Sequence, residues 1–489
     1  RRFLGPAPAT ASGSASFSGR GWVMRDGSLD HWWFDRAIDH AQRENLSIAQ
    51  SELSLNLGGL DISDAKGARL PSLNASSSHG YNWGQRVDPF TNTFASARIR
   101  SNSLSLGSNV SLYNGRAAQL GIDRAEEAFI GAREDLEAAR NNVAMQVASA
   151  FLGVLFSQDQ LEIARSNKAS TAEQVERVLR LVNAGAAAEG DLLDIRAQLA
   201  GDQSNIVSAQ GQFDIARLGL AQVLRLEGSA AESITVERPD LSLFRGAVEM
   251  PRRDILLASA LESFPEIKSA ESGVRTSEID HALAKSQAQP SLSASWSYGT
   301  GFSGAAKDPV GDPSLEIYPI GYLPSTEELV MTVAQTYSEF SVRPFSNQFE
   351  ENLNQSVFFS LSIPIFNGHR VRNGVKRAEI SMDRAELALE STRQILTQSV
   401  EAAHSDARIS REAWMASEDA HNAAQRAFEY AELRYEQGAS NQVDFTQARN
   451  RRDNAKMEAL RKQYDMIFKL AILDYYGGRS IRLDRAIGQ

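Results

Sequence analysis

Side chains that could do chemistry are plentiful in this chain but are nowhere gathered to do it. The seven histidines, His31, His40, His79, His281, His369, His404 and His421, show no HExxH pattern and no pair four residues apart, the spacing that would set two imidazoles on one helix face around a metal. A Gly-Lys-Ser/Thr phosphate loop and a GxSxG elbow are missing, and no GxGxxG follows a strand to open a helix, so no nucleotide or acyl-transfer machinery is legible. There is no cysteine, which excludes disulfides, thiolate metal sites, thiol nucleophiles and a lipid-bearing cysteine from the chain. Acidic pairs such as Glu126-Glu127 fall between apolar seams and read as a solvated helix face. Asp191 and Asp444 stand out by position, each six residues after a glycine, Gly185 and Gly438; a carboxylate there would cap or charge the first turn of a helix. The expectation is a protein that is not an enzyme and holds no cofactor or metal.

Composition narrows the class further. Of 489 residues, 42% are apolar and 23% charged, with a net charge of −10, which is ordinary for a folded protein and wrong for a nucleic-acid binder. No apolar run approaches 18 residues, the densest patch being Phe151 to Phe156, so any membrane crossing must be made by strands. Residues 1–27 are rich in Gly, Ala, Ser and Pro and read as a flexible lead-in, and a chain without an initial Met or a secretory pattern fits a processed mature form.

The elements that must position these residues are organised by a repeat. Leu112-Tyr113-Asn114-Gly115 matches Ile365-Phe366-Asn367-Gly368 at an offset of 253, and the same offset pairs Gly185 with Gly438, Asp191 with Asp444 and Arg196 with Arg449. Upstream, Pro71-Ser72-Leu73 pairs with Pro290-Ser291-Leu292 at an offset of 219. The second copy therefore holds 34 extra residues between about Phe302 and Asn354, a Gly- and Pro-punctuated stretch that reads as a long loop. Each copy has the order strand, loop, strand, long helix, turn, long helix.

Residues 103–112 alternate strictly, with Leu104, Leu106, Val110 and Leu112 against Ser103, Ser105, Gly107, Asn109 and Ser111. Strands are predicted at about 71–83, 101–113, 290–302 and 355–366. One apolar face and one face of Ser, Gly and Asn suit the wall of a membrane barrel with a wet lumen, although a small soluble sandwich shares the alternation. Four strands are too few to close a barrel, so closure would need further copies, most simply three. Ile122, Phe129, Leu136, Val143 and Ala150 recur every seven residues, as do Val375, Met382, Leu389, Leu396 and Ala403, which is a coiled-coil seam. Gly115 to Gly185 and Gly368 to Gly438 each enclose 70 residues, room for a helix of about 100 Å. Helical hairpins are predicted over 115–226 and 368–476, with glycines at their tips, and Trp32-Trp33-Phe34 opens an amphipathic helix packed on the middle of the tunnel.

These features resemble the TolC family of outer-membrane efflux proteins, from about Ser28 to Tyr476, in the duplicated layout, the Asn-Gly exits at Asn114-Gly115 and Asn367-Gly368, and the Gly-to-Asp spacing at each tip. The resemblance implies a mainly α fold with membrane β: a homotrimer whose twelve-stranded β-barrel in outer-membrane lipid continues into a twelve-helix α-barrel across the periplasm of a Gram-negative bacterium. It divides the chain into a first repeat at 28–227, an equatorial linker at 228–250, a second repeat at 251–476 and an equatorial tail at 477–489. It implies a passive exit duct for small molecules, working with a periplasmic adaptor and an inner-membrane transporter of RND or ABC type. A duct for secreted protein and a coiled-coil scaffold outside the membrane are the alternatives. By the same resemblance Asp191 and Asp444 line a periplasmic gate, followed one turn later by Asp194 in the first copy but Gln447 in the second; Tyr435 joins helical pairs, and the tips at Gly185 and Gly438 meet the adaptor.

Overall fold

The computed structural model describes residues 31–32, 34–88, 91–92, 94–95, 98–237 and 250–479. The lead-in at 1–27, most of the linker beyond residue 237 and the tail beyond residue 479 lie outside them. A two-residue strand β1 (His31–Trp32) precedes helix α1 (Phe34–Glu44), whose Phe34, Ala37, Ile38 and Ala41 form one buried face; the helix expected to open at Trp32 begins at Phe34, with Trp32 in β1 and Trp33 outside the described residues. Helix α2 (Leu46–Gly67) leads into β2 (Ser72–Asn82). Two short strands, β3 (Arg86–Val87) and β4 (Phe94–Ala95), pair with each other before β5 (Ile99–Asn114).

The helices then repeat the offset seen in the sequence. α3 (Ala117–Asn183) and α9 (Arg370–Glu436) each have 67 residues, and α4 (Glu189–Val223) and α10 (Gln442–Tyr476) each have 35. At the α-helical rise the longer pair spans about 100 Å. Between the copies lie α5 (Ser229–Glu232), β6 (Thr235–Val236), which pairs with β1, α6 (Arg253–Ser263) and α7 (Pro265–Ser286). Ahead of its first long strand each copy carries an 11-residue helix, α1 or α6, and then a 22-residue helix, α2 or α7; the longer one is missed in the sequence because its apolar pattern is weak. α2 packs on α3, and α7 packs on both α3 and α9.

The second copy continues with β7 (Ser291–Ser303), β8 (Lys307–Val310), β9 (Ser314–Tyr322), β10 (Leu329–Thr336), β11 (Glu339–Val342), α8 (Phe345–Glu351) and β12 (Asn354–Ser362). The stretch expected as a long loop is therefore a two-tiered hairpin, β8 on β11 and β9 on β10, because its prolines and glycines punctuate short alternating runs instead of dissolving them. The last main strand stops at Ser362, short of the expected 366, just before Pro364, which offers no N–H to a ladder.

The four long strands form one antiparallel sheet in the order β12-β7-β5-β2. Its polar face is tied by cross-strand hydroxyl pairs, Ser76–Ser105 and Ser78–Ser103 at 2.7 Å and Ser297–Ser356 at 2.6 Å. On the other face Val357, Phe359 and Leu361 are 60%, 70% and 62% exposed. The main core lies elsewhere, where Phe34 meets Phe151 edge-on at 5.4 Å and Val147, Leu155, Leu220, Leu224, Ile467 and Leu470 close around them. The heptad residues Leu136, Val143 and Leu396 belong to this core.

The passage from strand to helix is sharp because two consecutive residues take positive φ: Gly115 (65°) then Arg116 (69°), and Gly368 (62°) then His369 (64°). The preceding asparagines cap the new helix across the turn, Asn114 Oδ1 accepting from Ala118 N at 3.2 Å and Asn367 Oδ1 from Val371 N at 3.4 Å. A Cβ on Gly115 would sit 2.8 Å from both Gln289 Cβ and Ser286 O, whereas one on Gly368 would meet open space. Gly368→Ala should therefore cost only its left-handed backbone, about 1–2 kcal/mol, and Gly115→Ala a further ~1–3 kcal/mol of overpacking. Thermal unfolding of the two purified variants checks this order, and equal melting points would contradict it.

Candidate functional site

The hairpin tips are built by helix-stop chemistry. Gly185 and Gly438 have φ of 72° and 71°, and the residue after each, Ala186 or Ala439, bonds back to Leu181 O or Arg434 O at 2.8 Å, closing a left-handed C-terminal cap. The chain then re-enters a helix. Asn441 caps α10, its Oδ1 accepting from Asp444 N at 2.8 Å, while Ala188 at the start of α4 makes no side-chain bond. Asp191 and Asp444 do not cap their helices; each supplies charge to the first turn, where the positive helix end favours it.

Tyr435 lies where the two hairpins meet. Its ring stacks on Phe445 at 4.9 Å, and the Arg177 guanidinium of α3 sits over it at 5.6 Å. Arg177 also pairs with Glu436 at 3.6 Å. Burial pushes the Tyr435 hydroxyl above its ordinary range; Arg177 opposes this and the Asp191 charge adds to it, so Asp191 and Tyr435 share one electrostatic neighbourhood. Asp194 and Gln447 also come together, lining with Ile195, Gln198, Val443 and Thr446 a cleft of about 190 Å³ between α4 and α10. A smaller apolar cluster of Val178, Leu192 and Ile195 holds the first tip.

Above this cleft is a network that the sequence does not disclose. Arg449 is 2% exposed. Its guanidinium donates to Thr171 Oγ1 at 2.5 Å and Asn167 O at 2.7 Å on α3, and reaches Asp202 Oδ2 on α4 at 3.4 Å. Thr171 in turn donates to Asp202, and Gln198 Nε2 donates to the other Asp202 oxygen at 2.9 Å. One arginine of the second hairpin thereby binds both helices of the first. Its repeat partner Arg196 is exposed, and the positions 253 residues after Asn167, Thr171 and Asp202 are Ala420, Ala424 and Ala455. Only the matched arginines were visible as a signal; the loss of their acceptors shows once the packing is known.

Among the described residues no cluster of three or more His, Cys, Asp or Glu is placed to hold a metal ion, and no helix is long and apolar enough to cross a membrane.

The family model of outer membrane efflux proteins matches residues 37–224 and 256–476. The outer membrane protein TolC of Vibrio cholerae is 24% identical over 412 residues, covering 84% of this chain and 82% of its own. Among solved structures, the outer membrane protein VceC of Vibrio cholerae superposes with a TM-score of 0.68 at 15% identity, covering 93% of this chain and 96% of its own. The MtrE outer membrane channel of Neisseria gonorrhoeae, in its open state, gives 0.70 at 18% identity, covering 92% and 90%. These likenesses establish the fold, a channel-type arrangement of a β-domain and long paired helices.

Truncating Arg449 strands the buried Asp202 carboxylate, so Arg449→Ala should destabilise the protein by about 3–5 kcal/mol. Arg196→Ala, at a position exposed within the chain, should cost far less, within about 0.5 kcal/mol. Chemical unfolding of both variants checks the contrast.

Proposed function

Since this chain belongs to the outer membrane efflux protein family, we propose that it is one protomer of a homotrimeric exit duct, through which small molecules leave a Gram-negative cell passively. The observation that carries this reading is the unclosed sheet. Among the described residues β12 and β2 each keep one edge unpaired, and the apolar face carrying Val357, Phe359 and Leu361 lies uncovered. A soluble sandwich would bury such a face. In lipid the same face is at home, but an open edge is not. Three copies joined edge to edge give twelve strands, a full barrel with the serine side facing water.

The long helices continue the duct into the periplasm as a barrel of twelve, each copy adding α3, α4, α9 and α10. Each repeat, 28–227 and 251–476, contributes two strands and one helical hairpin. The tips at Gly185 and Gly438 meet a periplasmic adaptor, which joins the duct to an energised inner-membrane transporter of RND or ABC type. Nothing in the chain supplies energy, so the transporter must. Three copies of Asp191 and Asp444 gather six carboxylates at the entrance, where clustered like charge attracts cations. Asp194 and Gln447 line the wall behind them, and Tyr435 fastens neighbouring helical pairs.

Detergent-purified protein should run at three times its 53.5 kDa chain mass and form discrete channels in planar bilayers. The pair Asp191→Ala/Asp444→Ala should raise single-channel conductance and weaken block by multivalent cations. A monomer without channel activity would overturn the duct, and an unchanged trace in the double variant would remove these aspartates from the gate.

A further inference from the structure

The second copy carries a built surface that the first lacks. Its base is a buried polar knot: Asp88 is 0% and Gln348 1% exposed. Ser303 donates to Asp88 through its hydroxyl and to Gln348 Oε1 through its amide at 2.9 Å, and Gln348 Nε2 donates back to Ser303 O at 3.0 Å. Arg343 clamps the stem, donating to Asp308 at 2.6 Å and also to Glu351. Phe302, Phe345 and Phe349 stack beside it at 5.5 and 5.0 Å. From this base β9 and β10 project as a two-stranded sheet whose outer edges have no strand partner among the described residues.

The hairpin is amphipathic. Leu315 and Ile317 of β9 share a face with Met331 and Val333 of β10, and the four are 67%, 65%, 50% and 59% exposed. Glu316, Tyr318, Thr332 and Ala334 lie on the opposite face. From residue 312 to residue 339 the segment carries five carboxylates, Asp312, Glu316, Glu327, Glu328 and Glu339, and no lysine or arginine. An isolated two-stranded hairpin with an uncovered apolar face is at best marginal in water, and open strand edges invite another strand.

We propose that β9 and β10 form a docking edge for an extended segment of another protein, one that alternates basic and apolar side chains and adds a third strand to this sheet. Strand addition satisfies the free backbone groups, the apolar face takes alternate side chains, and the carboxylates select a basic partner. The same negative charge disfavours the two other occupants, an anionic lipid surface and the hairpins of neighbouring copies. The placement of this surface on the cell exterior rests on the exit-duct reading above.

Because the chain has no cysteine, Ser325→Cys gives a unique label at the hairpin tip. In full-length protein in detergent, an environment-sensitive dye there should report binding of a short alternating Lys-Val peptide at least about tenfold tighter than of the matching Glu-Val or Lys-Gly peptides. Ile317→Ser/Val333→Ser, which keeps the charge, and Glu327→Lys/Glu328→Lys, which keeps the apolar face, should each weaken binding by about tenfold, with the melting point unchanged. Equal affinity for Lys-Gly, or indifference to the serine pair, would reduce the effect to bulk charge and overturn strand docking. A label buried in vesicle lipid, or self-quenched between copies before peptide is added, would assign the surface to those occupants and overturn it as well. Labelling of Ser325→Cys on intact cells by a membrane-impermeant maleimide tests the exterior placement separately: labelling supports it, and protection would overturn the placement while leaving the detergent result to judge docking.

Discussion

An unpaired row of backbone N–H and C=O groups is tolerable in water and prohibitive in hydrocarbon, where each such group costs several kcal/mol. Among the described residues the four-stranded sheet ends in two such rows, on β12 and on β2, and its apolar side is left bare. The proposed assembly would answer both, since copies joined at those edges would remove the open rows and present the bare side to lipid. The serine pairs across the other face, all near 2.7 Å, show how a polar lining is kept ordered without charge.

Duplication explains why one chain supplies two nearly equivalent sectors. α3 and α9 match in length, α4 and α10 match in length, and both strand exits use the same asparagine cap over a glycine with positive φ. The copies diverge where they touch each other. Gly115 is hemmed in by Gln289 and Ser286 of the following helix end, whereas Gly368 stands in the open. Arg449 is buried in the seam between hairpins while Arg196 remains on the surface. Within a chain, then, the two hairpins are fastened by a buried arginine, and the outer faces of α4 and α9 lack the equivalent fastening.

The rim opposite the tips diverges as well. Its knot of Asp88, Ser303 and Gln348 ties the loops of both copies together, and the inserted strands rise from a stem held by Arg343.

Much of this was legible in the residues alone, because short-range periodicity writes itself into sequence. Alternation placed the four strands within a few residues of where they lie, except that Pro364 ended the last one early; the heptads gave the long helices and their buried seams; and the constant offset of 253 gave the duplication. The tip residues are recognisable by their spacing, as is the charge that each aspartate brings to a first helical turn, but not that Asn441 caps α10 while α4 has no side-chain cap. What the tertiary structure alone decided are the contacts between residues far apart in the chain: Arg449 with Thr171, 278 residues away, and Ser303 with Asp88, 215 residues away. The reason is that a periodic pattern specifies which face of an element is buried, while the partner that face meets is fixed only when the helices and strands pack.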